Sequence, residues 1–143
     1  MELMELMPFQ LDERLAGDCF ELGKLGFCRL LLMNNAAVPW FILVPETDVT
    51  ELCDLPANQQ AALWAEVNSV AAYVRSAYAV DKLHIGAIGN IVRQLHVHVV
   101  GRHEDDYCWP GVVWGSEWEV SYDEDDVARM RASMAKALKE LTV

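Results

Sequence analysis

The sequence has no apolar run near the roughly 20 residues that a membrane-spanning helix requires, so a membrane span is not expected. It also lacks the basic start and longer apolar stretch of a secretory signal. Its first seven residues, MELMELM, alternate Glu2 and Glu5 with Met and Leu and read as a frayed or packed terminal arm. The four cysteines, Cys19, Cys28, Cys53 and Cys108, contain no C-x-x-C pair, which argues against a zinc ribbon or a thioredoxin-like redox motif. Reduced, packed thiols in a cytoplasmic protein are the expectation. Basic residues are scarce as well. Eleven Lys and Arg stand against 22 Asp and Glu, a net charge of −11 that repels nucleic-acid backbones and anionic membranes at long range. A small phosphate ligand stays compatible with that charge, because a pocket needs only a few local donors. No internal repeat, linker or low-complexity segment interrupts the chain.

What the sequence does have is apolar residues, 53% of 143, enough for one domain with one core over residues 1–143. FQLDERLAGD, residues 9–18, reads as an amphipathic turn or short helix ending near Gly17. Two apolar runs, residues 26–34 and Trp40–Val44, are joined by a connection bearing Asn34, Asn35 and Pro39, and so predict an antiparallel hairpin. From Pro56 to Ala79 the period is helical. Leu63, Val67, Val70, Ala71, Val74 and Tyr78 form the apolar stripe, and Gln59, Gln60, Glu66, Asn68 and Arg75 the wet side. KLHIGAI then reads as a strand ending at Gly89 and Asn90. After a polar loop at residues 103–111, Val112–Val120 suggests a short strand. Ser121 and Glu124 match a capping box for a C-terminal helix, about residues 122–141, with Val127, Met130, Met134, Leu138 and Leu141 as its buried stripe. The fold class expected is α+β: about five antiparallel strands with one long and one C-terminal helix.

The chemistry concentrates in VRQLHVHVVGR, where the period is two. In a strand over residues 93–100, ended by Gly101, Gln94, His96 and His98 share one exposed face and Leu95, Val97 and Val99 the other. Side chains two positions apart on one face stand roughly 6.6 to 6.8 Å apart, so the three polar groups can converge on one ligand. A neutral imidazole can attack phosphorus and hold a covalent intermediate, while a second donates a hydrogen bond to the phosphate or the departing atom. A carboxamide orients or bridges but exchanges no proton near neutrality. That division suits His96 as nucleophile, His98 as donor and Gln94 as an accessory.

QLHVHVV resembles the signature of the histidine triad (HIT) superfamily, His-φ-His-φ-His-φ-φ with φ apolar. The resemblance extends over about residues 10–111: RLLLMNNAAVPWFILVP is similar to the family's first two strands and their turn, and the long helix and Gly89-Asn90 follow in family order. It implies that His96 is the nucleophile and that His98 contacts phosphate. It further implies that Asn34 holds the ribose hydroxyls and that Gly89 and Asn90 stand where a Gly-Gln pair lies beside the phosphate. The implied activity is hydrolysis or transfer of nucleoside monophosphate groups from phosphoramidates or dinucleoside polyphosphates, without cofactor or metal, in a homodimer. Two positions depart from the pattern. Gln94 replaces the first motif histidine, and Trp40 occupies a place where several members carry histidine, which bears on leaving-group specificity.

Other readings attach to the same residues. His96 and His98 on one strand face are compatible with a zinc site completed by His84 or His103, or with two ordinary exposed strand residues. Asn34 and Asn90 both favour turns. Arg93 and Arg102 flank the motif as solvated or anion-steering cations, and Trp109-Pro110 suits closure over a substrate or packing on a partner chain. A nucleotide-binding or regulatory protein without turnover is the alternative that Gln94 keeps open.

Overall fold

The computed structural model describes residues 8–143, so the reading of the N-terminal arm lies outside the described residues. A short helix α1 (Glu13–Asp18) follows Asp12, whose carboxylate accepts from the Arg14 amide. β1 (Cys19–Lys24), β2 (Cys28–Met33) and β3 (Trp40–Pro45) then form a meander. The long helix α2 (Ala57–Ala77) crosses over to β4 (Lys82–Gly86), and β5 (Val97–Arg102) returns between β3 and β4. The result is an antiparallel five-stranded sheet in the order β1-β2-β3-β5-β4, with α3 (Glu124–Ala137) near the C-terminus. The α+β class, the hairpin, the long helix and the C-terminal helix stand as expected.

Strand periodicity divides the buried residues between two faces. Leu30, Leu32, Phe41, Leu43, Val97 and Val99 face the stripe of α2 formed by Leu63, Val67, Val70 and Val74, and Met134 and Leu138 of the C-terminal region join this core. Leu31, Trp40, Ile42, Val44 and Val100 point the other way, under Leu15, Val92 and Val113. All six residues of β3 and of β5 are buried, as befits central strands covered on both sides.

Five details differ from the sequence reading. β1 has weak strand character, with a charged residue at each of Glu21 and Lys24 and only Leu22 buried. It forms because β2 offers a ladder, with an irregularity between Glu21 and Gly23. Gly23 has φ +151°, and a Cβ there would meet the Thr142 carbonyl at 2.6 Å, where the C-terminus bridges to Lys24. Glu66 is buried rather than wet: its carboxylate accepts from the amides of Phe27 and Cys28, both at 2.8 Å, and so satisfies the start of β2. Residues 112–120 make no strand, and the cap of α3 is Asp123, which accepts from the Asp126 amide, instead of Ser121. β5 runs through Gly101, whose missing side chain admits Val74 and Pro39; a Cβ would lie 2.8 and 2.9 Å from them.

Candidate active site

β5 begins at Val97, so the ladder does not extend over residues 93–96. Continuing the register of β3 with β5 would set Leu95 opposite Pro45, which has no N–H to donate, and β4 already ends at Gly86 opposite His98. Gln94 and His96 therefore stand on the irregular approach to β5, and His98 stands within it. The polar face is not exposed. His96 and His98 are each only 5% exposed; Trp114 packs on His98, and residues before β1 and around Trp114 join the apolar cluster on this side of the sheet.

The two imidazoles lie with ring centroids 5.0 Å apart and planes at 65°. Each has its Nδ1 engaged, in opposite senses. His96 Nδ1 is 2.7 Å from the Gln94 carbonyl oxygen, which only accepts, so Nδ1 carries the proton and Nε2 keeps its lone pair. His98 Nδ1 receives the indole N–H of Trp40 at 2.9 Å; an indole only donates, so here Nδ1 is bare and Nε2 carries the proton. Burial, with His96 alongside as the second cause, pushes the His98 pKa down to about 3. In their neutral forms one ring thus presents a lone pair at Nε2 and its neighbour an N–H.

His96 opens onto a cleft of about 730 Å³. Gly89, Asn90, Arg93 and Gln94 line it on one side, and Thr50, Glu51, Leu52 and Cys53, from the connection after β3, on the other. Among the described residues no group of three His, Cys, Asp or Glu is placed to hold a metal ion. His84 instead turns its Nδ1 to the Arg102 guanidinium at 3.2 Å, and its ring stacks on Trp114.

This fold and this pair of rings meet a known pattern. The family model of the HIT domain matches residues 17–105. The chain belongs to the histidine triad family. Among solved structures, a histidine triad protein of Sinorhizobium meliloti 1021 is 45% identical with a TM-score of 0.87, covering 91% of this chain and 97% of that one. One from Marinobacter aquaeolei VT8 is 39% identical with a TM-score of 0.88, covering 94% and 98%. A third, from Bradyrhizobium japonicum, is 33% identical with a TM-score of 0.86, covering 95% and 100%. No curated protein matches. Family membership supports a nucleotide-binding or hydrolase-type role.

Of the residues singled out from the sequence, this histidine triad protein brings His96, Gly89, Asn90 and Gln94 to one cleft, with His98 beside His96. Gln94, however, has both ends of its carboxamide engaged by backbone away from the two imidazoles. Its Oε1 accepts from the Asp12 amide at 2.8 Å and its Nε2 donates to the Gln10 carbonyl at 2.9 Å, so the carboxamide ties down the segment before α1. Asn34 is not among the cleft residues: its Oδ1 accepts from the Tyr122 amide at 2.9 Å. Arg102 is no surface cation. It is fully buried, pairs with both carboxylate oxygens of Asp106 at 2.7 and 2.9 Å, donates to the Gly111 carbonyl and lies over the Trp109 ring. That pairing holds the Asp106 carboxyl well below the usual carboxylate range.

Sequence reading missed Trp114, which stands edge-on to His98 with ring centroids 5.3 Å apart, and the Thr50–Cys53 wall of the cleft. Neither carries a local signal, since both are far from the motif in sequence. Trp40 was visible as a departure from the family pattern. Its partner was not.

Proposed function

We propose that this protein is a nucleotidyl hydrolase or transferase that acts on the α-phosphate of nucleoside phosphoramidates or dinucleoside polyphosphates through a nucleotidyl-histidine intermediate. The observation that carries the reading is the complementary pair of Nε2 atoms, a lone pair on His96 beside an N–H on His98. In the first step the His96 Nε2 lone pair bonds to the α-phosphorus and the bond to the leaving group breaks with its electron pair on the departing atom. The Gln94 carbonyl keeps the Nδ1 proton in place as the ring becomes cationic. His98 Nε2–H donates to the charge developing on the phosphoryl oxygens, and the backbone at Gly89 and Asn90 forms the wall beside them. Water then attacks the phosphorus, releasing the nucleoside monophosphate and restoring the His96 lone pair. We read the whole chain as one catalytic domain, working without cofactor as a cytoplasmic homodimer.

The test is incubation with adenosine phosphoramidate and diadenosine polyphosphates. AMP release that disappears in His96→Asn, with an adenylated His96 peptide found by mass spectrometry after rapid quench, supports the enzyme. A second reading, a nucleotide-binding protein without turnover, is favoured by the engagement of Gln94 in a structural clamp where the family carries an imidazole. Tight AMP binding with no release from any substrate would establish it.

A further inference from the structure

Trp40 is buried at the start of β3, and its indole N–H is spent on His98 Nδ1. A general acid must carry a proton it can lose and then regain. For His98 that would mean passing through an imidazolium with both nitrogens protonated. With Trp40 in place, a proton on Nδ1 would point at another N–H across 2.9 Å, and an indole cannot turn round to accept it. Nor do the other groups packed on the ring offer compensation. Gly86 of β4 and Ile42 of β3 are its cross-strand partners, Trp114 stands edge-on, and His96 acts against a positive charge. His98 is thus a donor that gives a hydrogen bond without giving up its proton.

We propose that Trp40 is a positioning residue that locks His98 in the Nε2–H tautomer and thereby sets leaving-group specificity, favouring substrates whose leaving group departs as a stable anion, such as a phosphate, over those that release a basic amine. The inference rests on the hydrolase reading above. When the bond from the α-phosphorus to a phosphate breaks, the electron pair stays on an oxygen that is stable as an anion. When a bond to an alkylamine nitrogen breaks, that nitrogen must gain a proton at the same time. His98 does not supply it, so the proton comes from water and the reaction is slow.

Two measurements test this. In the wild-type protein, ¹⁵N NMR of the histidine rings is expected to find His98 neutral and in the Nε2–H form from pH 5 to 8, with the Trp40 indole proton hydrogen-bonded; this needs no variant to fold. A Nδ1–H tautomer, or titration of His98 within that range, overturns the proposal. In turnover, kcat/KM for the nitrophenyl ester of AMP is expected to exceed that for an alkyl phosphoramidate of AMP by about a hundred-fold or more, the size of a missing general acid. Trp40→His, whose ring can accept as well as donate, is expected to narrow that gap about ten-fold, whereas a variant that merely loosened packing would lower both rates together. Equal wild-type turnover of the two substrates overturns the leaving-group preference while leaving the hydrolase reading intact. No release even from the nitrophenyl ester overturns the hydrolase reading and the preference with it.

Discussion

On one face of the sheet, α2 and α3 set Leu63, Val67, Val70, Val74 and Met134 against inward-pointing strand residues, and the cover is regular and apolar. On the other face the cover includes α1, but most of it is chain without regular structure, held at points by polar side chains. Gln94 holds Gln10 and Asp12, Asn34 and Asn35 hold Trp118, Val120 and Tyr122, and Arg102 holds Asp106 and Gly111. A helix satisfies its own backbone, so it needs only an apolar stripe to dock. Irregular chain arrives with unpaired N–H and C=O groups, and buried partners must be found for them. The two histidines lie on this second face. Polar side chains on that face therefore stand both as clamps and as the proposed catalytic pair, and polarity alone does not tell them apart.

The sharpest way to separate the two roles is to remove one residue of each kind. His96→Asn is expected to lower AMP release about ten thousand-fold while leaving the melting temperature nearly unchanged, measured by turnover and thermal unfolding on the same sample. Arg102→Met should do the reverse. It leaves the buried Asp106 carboxylate without its partner and is expected to cost about 3 to 5 kcal/mol in a denaturant titration, with part of the loss recovered in Arg102→Met/Asp106→Leu. Against that polar pin, the helical face offers a control: Leu63→Ala should cost about 3 kcal/mol through the cavity it leaves, with kcat and KM retained.

A smaller effect comes from pH. Folded His98 is held neutral down to about pH 3, whereas the unfolded ring protonates near 6.5, so between those values the unfolded state binds the extra proton. The contribution is complete above about pH 6.5 and is lost as pH falls, at up to about 1.4 kcal/mol per pH unit from this group. Denaturant midpoints from pH 7 to 4 should show that slope in the wild type and less of it in His98→Asn. The Arg102–Asp106 pin behaves differently: its carboxyl is already depressed, so it holds throughout that range and is released only in stronger acid. The smallest change is expected for Gln94→Ala, about 1 kcal/mol of stability with faster hydrogen exchange at the Asp12 amide. A ten-thousand-fold loss of activity there, matching His96→Asn, would erase the distinction between clamp and catalyst.

Legibility in the sequence followed the same division. α2 and the β2–β3 hairpin were readable because their apolar spacing is a local property that burial then respects. β1 was not, since its residues accept a strand only when β2 supplies the ladder. Glu66 stands three residues after Leu63 and four before Val70, at the edge of the apolar stripe; its charge says solvent, and only the fold brings the amides of Phe27 and Cys28 to its carboxylate. His96 and His98 were readable from alternation and from the resemblance to the histidine triad pattern. Their burial was not, because what packs on that side of the sheet, Trp114 against His98 among it, comes from segments distant in sequence.

By itself, the sequence determined the α+β class, the main helix, the central strands and the pair of imidazoles, since each depends on spacing within a few residues. The tertiary structure alone decided which nitrogen of each imidazole is free, because that is set by one carbonyl at Gln94 and one indole on a neighbouring strand. It also decided which polar residues are clamps, because a side chain's hydrogen-bond partners are fixed by where distant backbone groups come to rest.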